Sequence, residues 1–198
     1  PVGYGHDKKG AAVGDAKNEG RPAVTHQPPD RADGPQMIKF MLDDQEVEAP
    51  EGETIFRTAR RYGIKLPHLC YSPKPGYRPD GNCRVCMVEI EGERVLAASC
   101  LRKPTEGMKV GVATERAEKA RRMVFELLVA DQPARETAHD PDSKFWNWAD
   151  KVGVSTSRFP ATEHPERDVS HPAMSVNLDA CIECNLCVRA CREVQVND

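Results

Sequence analysis

The chain has 198 residues, with 28 basic and 31 acidic side chains and a formal net charge of −3. That length holds one or two small domains. A balance this even gives no basis for nucleic acid or an anionic membrane as partner, and no apolar run approaches the roughly 18 residues of a membrane span.

Residues 1–35 contain 11 Gly plus Pro and five charges of each sign, with Tyr4 as the only aromatic. Such a segment cannot bury enough apolar surface to offset its ordering entropy, so a disordered tail is expected. It shows no secretory signal pattern. IKFMLDD alternates apolar and polar residues as a half-buried strand does, and QEVEAPEG reads as its hairpin partner, with Asp43 and Asp44 at the turn. TIFRTARRYG changes to helical period: Thr54 suits the N-cap, Ile55, Ala59 and Tyr62 share a face, and Gly63 suits the position after the helix. The Pro- and Gly-rich LPHLCYSPKPGYRPDGNC is predicted to be irregular. CMVEIEG and ERVLAAS read as two strands turning at Glu91-Gly92, and MKVGVAT as a last strand. ERAEKARRMVFELLVADQP is the clearest helix, with Ala120, Met123, Val124, Leu127 and Leu128 as its apolar stripe. A short helix is expected in SKFWNWADKVGV, and the rest of 134–175 reads as a linker. The pattern is α+β, a sheet with a helix packed on one face.

The chemistry lies in eight cysteines, which fall into two groups of four separated by 80 cysteine-free residues, 101–180. Without a secretory signal, thiolates are better suited to metal than to disulfides. The first group, Cys70, Cys83, Cys86 and Cys100, is spaced C-x12-C-x2-C-x13-C. One close pair at a Gly-containing turn, with two outer ligands approaching from elsewhere, fits a [2Fe–2S] cluster. Such a centre carries a charge of about −2, becoming about −3 on reduction, which backbone N–H groups and side chains such as Arg84 can offset. Structural zinc is the alternative, although zinc favours two short pairs. The spacing is not that of plant-type ferredoxins.

The second group, Cys181, Cys184, Cys187 and Cys191, has the C-x2-C-x2-C-x3-C spacing of bacterial ferredoxins. There the first three cysteines serve one [4Fe–4S] cluster and the fourth serves a second one. The remaining ligands are expected beyond Asp198, which makes the chain the N-terminal piece of a longer polypeptide, holding its [4Fe–4S] cluster poorly by itself.

The helix ETIFRTARRYG, the loop LCYSPKPGYRPDGNCRVCMVEIEGERVLAASC and the long helix after it resemble the N-terminal [2Fe–2S] domain of a group of redox subunits. The group includes the large peripheral subunit of respiratory complex I, the diaphorase subunit of NAD-reducing hydrogenases, iron-only hydrogenases and the alpha subunit of NAD-dependent formate dehydrogenases. The resemblance implies a β-grasp ferredoxin-like fold. The domain organisation expected is a tail over 1–35, the [2Fe–2S] domain over 36–113, a helix and linker over 114–175, and the first half of a bacterial-type 2[4Fe–4S] domain over 176–198.

Complex I and hydrogenase relatives usually place a histidine and three cysteines between the two constellations. Here His139 is followed by no cysteine for more than 40 residues, so no cluster is expected there. CRExQ, which starts at Cys191, is familiar in the wider group of redox subunits, and LLVADQP, HDPDSKFW and SHPAMSVNLDAC resemble the alpha subunit of cytoplasmic molybdenum- or tungsten-containing formate dehydrogenases. This resemblance implies a Mo/W bis-pterin centre elsewhere in the polypeptide, flavin- and NAD-binding partner subunits, and a cytoplasmic location. The alternatives are the electron-input arm of a hydrogenase or complex I relative, and a zinc-stabilised interaction module. His68 is expected to be a loop hydrogen-bonder, and His139 and His171 to be structural. Arg60, Arg61 and Lys65 read as a solvated helix face, and Trp146 and Trp148 as either a docking surface or internal packing. No Ser/His/Asp set, carboxylate pair, phosphate loop or dinucleotide fingerprint is present, so no catalytic residue is assigned.

Overall fold

The computed structural model describes residues 36–74, 77–163 and 166–196. The expected tail over 1–35 lies outside the described residues. Strands β1 (Met37–Leu42) and β2 (Gln45–Pro50) form the predicted hairpin. Asp43 takes a left-handed φ of 51° at its turn, and its Oδ1 accepts from Val112 N at 2.6 Å and Ala113 N at 3.2 Å. The hairpin tip is thereby tied to the chain just before the long helix. Alternation buries Phe40, Leu42, Val47 and Ala49.

Helix α1 (Ile55–Arg61) starts at Thr54, whose hydroxyl accepts from Arg57 N, and ends before Gly63 at φ 79°. It buries Ile55, Phe56 and Ala59 with the sheet residues Val88, Ile90 and Val110, each such side chain contributing about 1.5–3 kcal/mol of transfer free energy when large and fully buried. Strands β3 (Met87–Ile90), β4 (Ala97–Ala98) and β5 (Lys109–Gly111) complete a five-stranded sheet in the order β2-β1-β5-β3-β4. Only β1 and β5 run parallel; the other neighbours are antiparallel. This mixed sheet with packed helices agrees with the ferredoxin-like expectation. The second arm, expected over ERVLAAS, shortens to two paired residues: Val95 is exposed, and the chain turns at Ser99 and Cys100.

Helix α2 (Glu115–Ala130) is capped by Thr114, which accepts from Ala117 N, and carries Glu115 and Glu118 in its first turn, where they complement the helix dipole. Its buried line differs from the expected stripe. It runs through Ala117, Arg121 and Phe125, with Val124 and Leu128 beside it, whereas Leu127 is 47% exposed. Arg121 explains the rotation. Its stem is buried and its guanidinium donates to Met87 O (2.7 and 3.0 Å) and Val112 O (2.6 Å), fastening the helix to the sheet through carbonyls.

Helix α3 (Lys144–Val152) starts at the Ser143 cap and stops at Gly153, φ 77°. Phe145, Trp146 and Ala149 form a second core with Phe125 of α2 and with Leu69, Cys70, Cys83 and Val85 of the irregular loop. A hairpin stands where the sequence pattern suggests only a linker: β6 (Asp168–His171) pairs with β7 (Met174–Val176) and is exposed along its length. One helical turn, α4 (Leu186–Arg189), continues into a wider turn over Ala190–Val194. No helix among the described residues is long and apolar enough to cross a membrane.

Candidate metal centre

The first cysteine group is assembled where the two cores meet. Cys86 and Cys100 belong to the sheet core, and Cys70 and Cys83 to the core under α2 and α3. Exposures of 1%, 8%, 2% and 2% for Cys70, Cys83, Cys86 and Cys100 remove all four from water. Local backbone brings them in. Gly81 takes φ 69°, and a Cβ there would lie 2.4 Å from Leu101 Cδ1, so a larger residue would be strained and would have to displace the Leu101 side chain beside the close pair. Arg84 takes φ 57°, curling the chain between Cys83 and Cys86. Its side chain remains exposed, so the charge compensation expected from Arg84 is not seen in contact with the thiols.

The thiols are grouped two and two. Cys70 N donates to Cys83 Sγ, and Cys83 N to Cys70 Sγ, each at 3.5 Å. The thiol of Cys70 hydrogen-bonds that of Cys83, which pushes Cys70 up and holds Cys83 down at about 5; backbone N–H groups of Cys70, Val85 and Leu69 also favour the Cys83 thiolate. Cys100 and Cys86 repeat the arrangement, Cys100 pushed up and Cys86 held at about 7 by the hydrogen bond between them, with the Cys100 N–H and the Ser99 hydroxyl assisting. Ser99 Oγ also donates to Cys86 O at 2.8 Å. Among the described residues no three Cys, His, Asp or Glu side chains converge on a single-ion position. Two buried pairs surrounded by N–H donors are the donor set of a binuclear anionic cluster, in which each of two irons takes two thiolates. The residues present therefore fit a [2Fe–2S] group.

Two cations that the sequence motifs do not single out stand nearby. Arg121 is felt at Cys86, and burial lowers its pKa. Lys144 is an exposed residue whose ammonium lies 3.5 Å from Tyr71 O; desolvation lowers its pKa, and the sulfurs of Cys83, Cys70 and Cys184 oppose that shift. An arginine on the apolar line of α2 is the available signal for the first. Nothing local marks the second.

The second group is placed differently. Cys181, Cys187 and Cys191 are exposed, and Cys184 is half-buried at the margin of the α2–α3 core beside Ile182. Glu183 and Asn185 are left-handed, with φ 52° and 58°. The structure gathers no three of these thiols around one ion.

Away from the thiols, His68 Nδ1 lies 3.1 Å from Leu66 O, and its ring packs edge-on against Phe56 and Trp148. Burial lowers its pKa. Arg60, Arg61 and Lys65 are exposed. Trp146 is buried in packing, and Trp148 is half-buried between His68 and Lys151. His139 and His171 are both exposed.

Comparison with known proteins agrees with this geometry. Residues 35–115 match the family described as "2Fe-2S iron-sulfur cluster binding domain". Over 163 residues the chain is 33% identical to an NADH-quinone oxidoreductase subunit of Rhizobium meliloti (strain 1021), covering 80% of this chain and 19% of that protein. Over 166 residues it is 33% identical to the NADP-reducing hydrogenase subunit HndD of Solidesulfovibrio fructosivorans, covering 80% and 28%. The chain thus spans between a fifth and somewhat over a quarter of these relatives' lengths. Among solved structures, an NAD+-reducing [NiFe]-hydrogenase in the H2-reduced state matches with a TM-score of 0.66 and 31% identity, over 78% of this chain and 65% of that one. The family match thus covers the segment that carries Cys70, Cys83, Cys86 and Cys100.

Proposed function

We propose that the chain is an electron conduit in a multi-subunit, nicotinamide-linked oxidoreductase, with Cys70, Cys83, Cys86 and Cys100 as the ligands of its [2Fe–2S] cluster. The observation that carries this reading is the two-and-two grouping of four buried thiols beneath backbone N–H donors. When bound, the cluster takes up and releases one electron at a time. The chain's own residues do the rest. Leu69, Cys70, Asn82, Cys83, Val85 and Cys100 aim N–H groups at sulfur, offsetting negative charge. The apolar walls formed by Val85, Phe125 and Phe145 exclude water, and Arg121 and Lys144 supply positive charge near the thiols. Anaerobic reconstitution of the chain with iron and sulfide, followed by EPR before and after dithionite, tests it. A rhombic signal near one spin per chain that persists to relatively high temperature is expected. A colourless, EPR-silent protein holding stoichiometric zinc would overturn it in favour of an interaction module.

Within that class we place the chain in the alpha subunit of an NAD-dependent formate dehydrogenase. Cys181, Cys184 and Cys187 then serve one [4Fe–4S] cluster and Cys191 a second, completed by ligands outside these residues. A Mo/W bis-pterin centre would lie elsewhere in the polypeptide, with flavin and NAD on partner subunits in the cytoplasm. The support is LLVADQP, HDPDSKFW and SHPAMSVNLDAC, together with the absence of cysteine between His139 and Cys181. The electron-input arm of a hydrogenase or complex I relative is the second reading, favoured by the names of the relatives. Metal analysis of the native complex captured with this chain separates them: molybdenum or tungsten supports the first, and nickel or neither supports the second.

A further inference from the structure

Arg189 lies between Cys187 and Cys191, yet it is only 1% exposed. Its side chain leaves the second cysteine segment and enters the loop that carries the first. Nη2 donates to Cys70 O at 2.8 Å, Nη1 donates to Arg78 O, and Nε lies 3.0 Å from Asp80 Oδ2. The guanidinium also sits 5.9 Å from the centre of the Tyr77 ring. Arg78 reaches back to Glu193 Oε1 at 3.3 Å, a second link in the opposite direction. Ile182 and Cys184 pack against the core that contains Cys70 and Cys83. A guanidinium is retained out of water only where its charge is paired and most of its donors are met; here the Asp80 carboxylate pairs the charge and two carbonyls accept, while Nε makes no hydrogen bond. Here every partner belongs to the loop that bears the first cysteine site, and one of them is the carbonyl of Cys70 itself.

We propose that Arg189 is a positioning residue: it docks the second cysteine segment on the Cys70 loop, and the Arg189–Asp80 pair sets the charge felt at the first cysteine site. The redox half of this inference rests on the [2Fe–2S] reading. Reduction moves one electron from a mediator dye to the cluster, with no bond made or broken, and adds one negative charge there. Losing Arg189 leaves the Asp80 carboxylate with only its longer contact to Arg78, 3.9 Å, and disfavours that charge. Losing the Asp80 charge leaves Arg189 uncompensated and favours it.

The test uses the whole 198-residue chain and the variants Arg189→Gln, Arg189→Lys and Asp80→Asn, with the exposed Arg192→Gln as control. Hydrogen exchange is measured on the metal-free protein. In Arg189→Gln, amides of residues 77–83 and of 181–194 exchange together at least about tenfold faster, while the β1–β2 hairpin stays protected. Arg189→Lys does not restore protection, because a point charge cannot replace the planar fork. In EPR-monitored titrations of the reconstituted chain, Arg189→Gln shifts the potential negative and Asp80→Asn shifts it positive, with Arg192→Gln unchanged. Loosening of only one of the two segments overturns the docking. Potentials that stay put, or move the same way in both variants, overturn the charge pair. If Arg189→Gln does not fold, Asp80→Asn carries the test of the charge pair and Arg189→Lys that of the docking. A wild-type chain that takes up no [2Fe–2S] cluster would refute the functional reading, and the exchange data would then judge the docking by themselves.

Discussion

The two cysteine groups have equal numbers of thiols and opposite surroundings. Cys70, Cys83, Cys86 and Cys100 are built into two cores, paired, and supplied with N–H donors, whereas Cys181, Cys187 and Cys191 stand on the surface. The contrast shows what a spacing motif specifies. A ligand pattern states which residues can bind, but preorganisation comes from the elements that carry them. The first group is held by a sheet, a glycine turn and two helices. The second is carried by a turn of helix whose one deep anchor is Arg189.

The sharpest way to break this comparison is to exchange one thiol in each group. Cys83→Ser should abolish the rhombic EPR signal of the reconstituted chain, and Cys187→Ser should leave it intact; loss in both would mean that the groups are not independent. Next in size is Phe125→Ala, which opens a cavity under Cys70 and Cys83 and should cost about 3–5 kcal/mol by denaturant unfolding. The cluster yield should fall with it. Gly81→Ala forces a left-handed alanine against Leu101. We expect about 1–3 kcal/mol of destabilisation, together with weaker iron uptake measured by iron content per chain. The smallest effect concerns pH. His68 has its folded pKa lowered by burial, so the unfolded chain binds the proton more readily. Its contribution is complete above the unfolded value of about 6.5 and is lost as pH falls through the folded value. The melting temperature of the metal-free chain should therefore fall between pH 7.5 and 5, and His68→Asn should fall less.

What is legible in the sequence is local. The β1–β2 turn, the Thr54 cap and the Gly63 stop depend on neighbours a few residues away, and each stands where the pattern places it. The α2 stripe departs from its pattern because a charged residue, Arg121, occupies its centre, and no hydropathy pattern marks a guanidinium that satisfies sheet carbonyls. The β6–β7 hairpin leaves no trace in the pattern because none of its residues is buried, so there is no alternation to see. All eight cysteines stand out as candidate ligands from spacing alone. The partnership of Cys70 with Cys83, and of Arg189 with the Cys70 carbonyl, is not legible there, because such contacts join positions far apart in the chain.

The parallel pairing of β1 with β5 also bears on biosynthesis. Met41 lies opposite Lys109, and every thiol of the first group falls between those two positions. On the ribosome, the strand that closes the sheet emerges only after all four thiols have been made. Pairing across so long a separation is slow compared with forming the hairpin or the helices. The nascent chain therefore passes through an interval in which the thiols exist and their walls do not. In that interval delivered iron and sulfide can enter freely, and so can oxidants. Closure of β5 onto β1 completes only the sheet side; the interval ends when α2 and α3, made later still, bring Phe125 and Phe145 over Cys70 and Cys83.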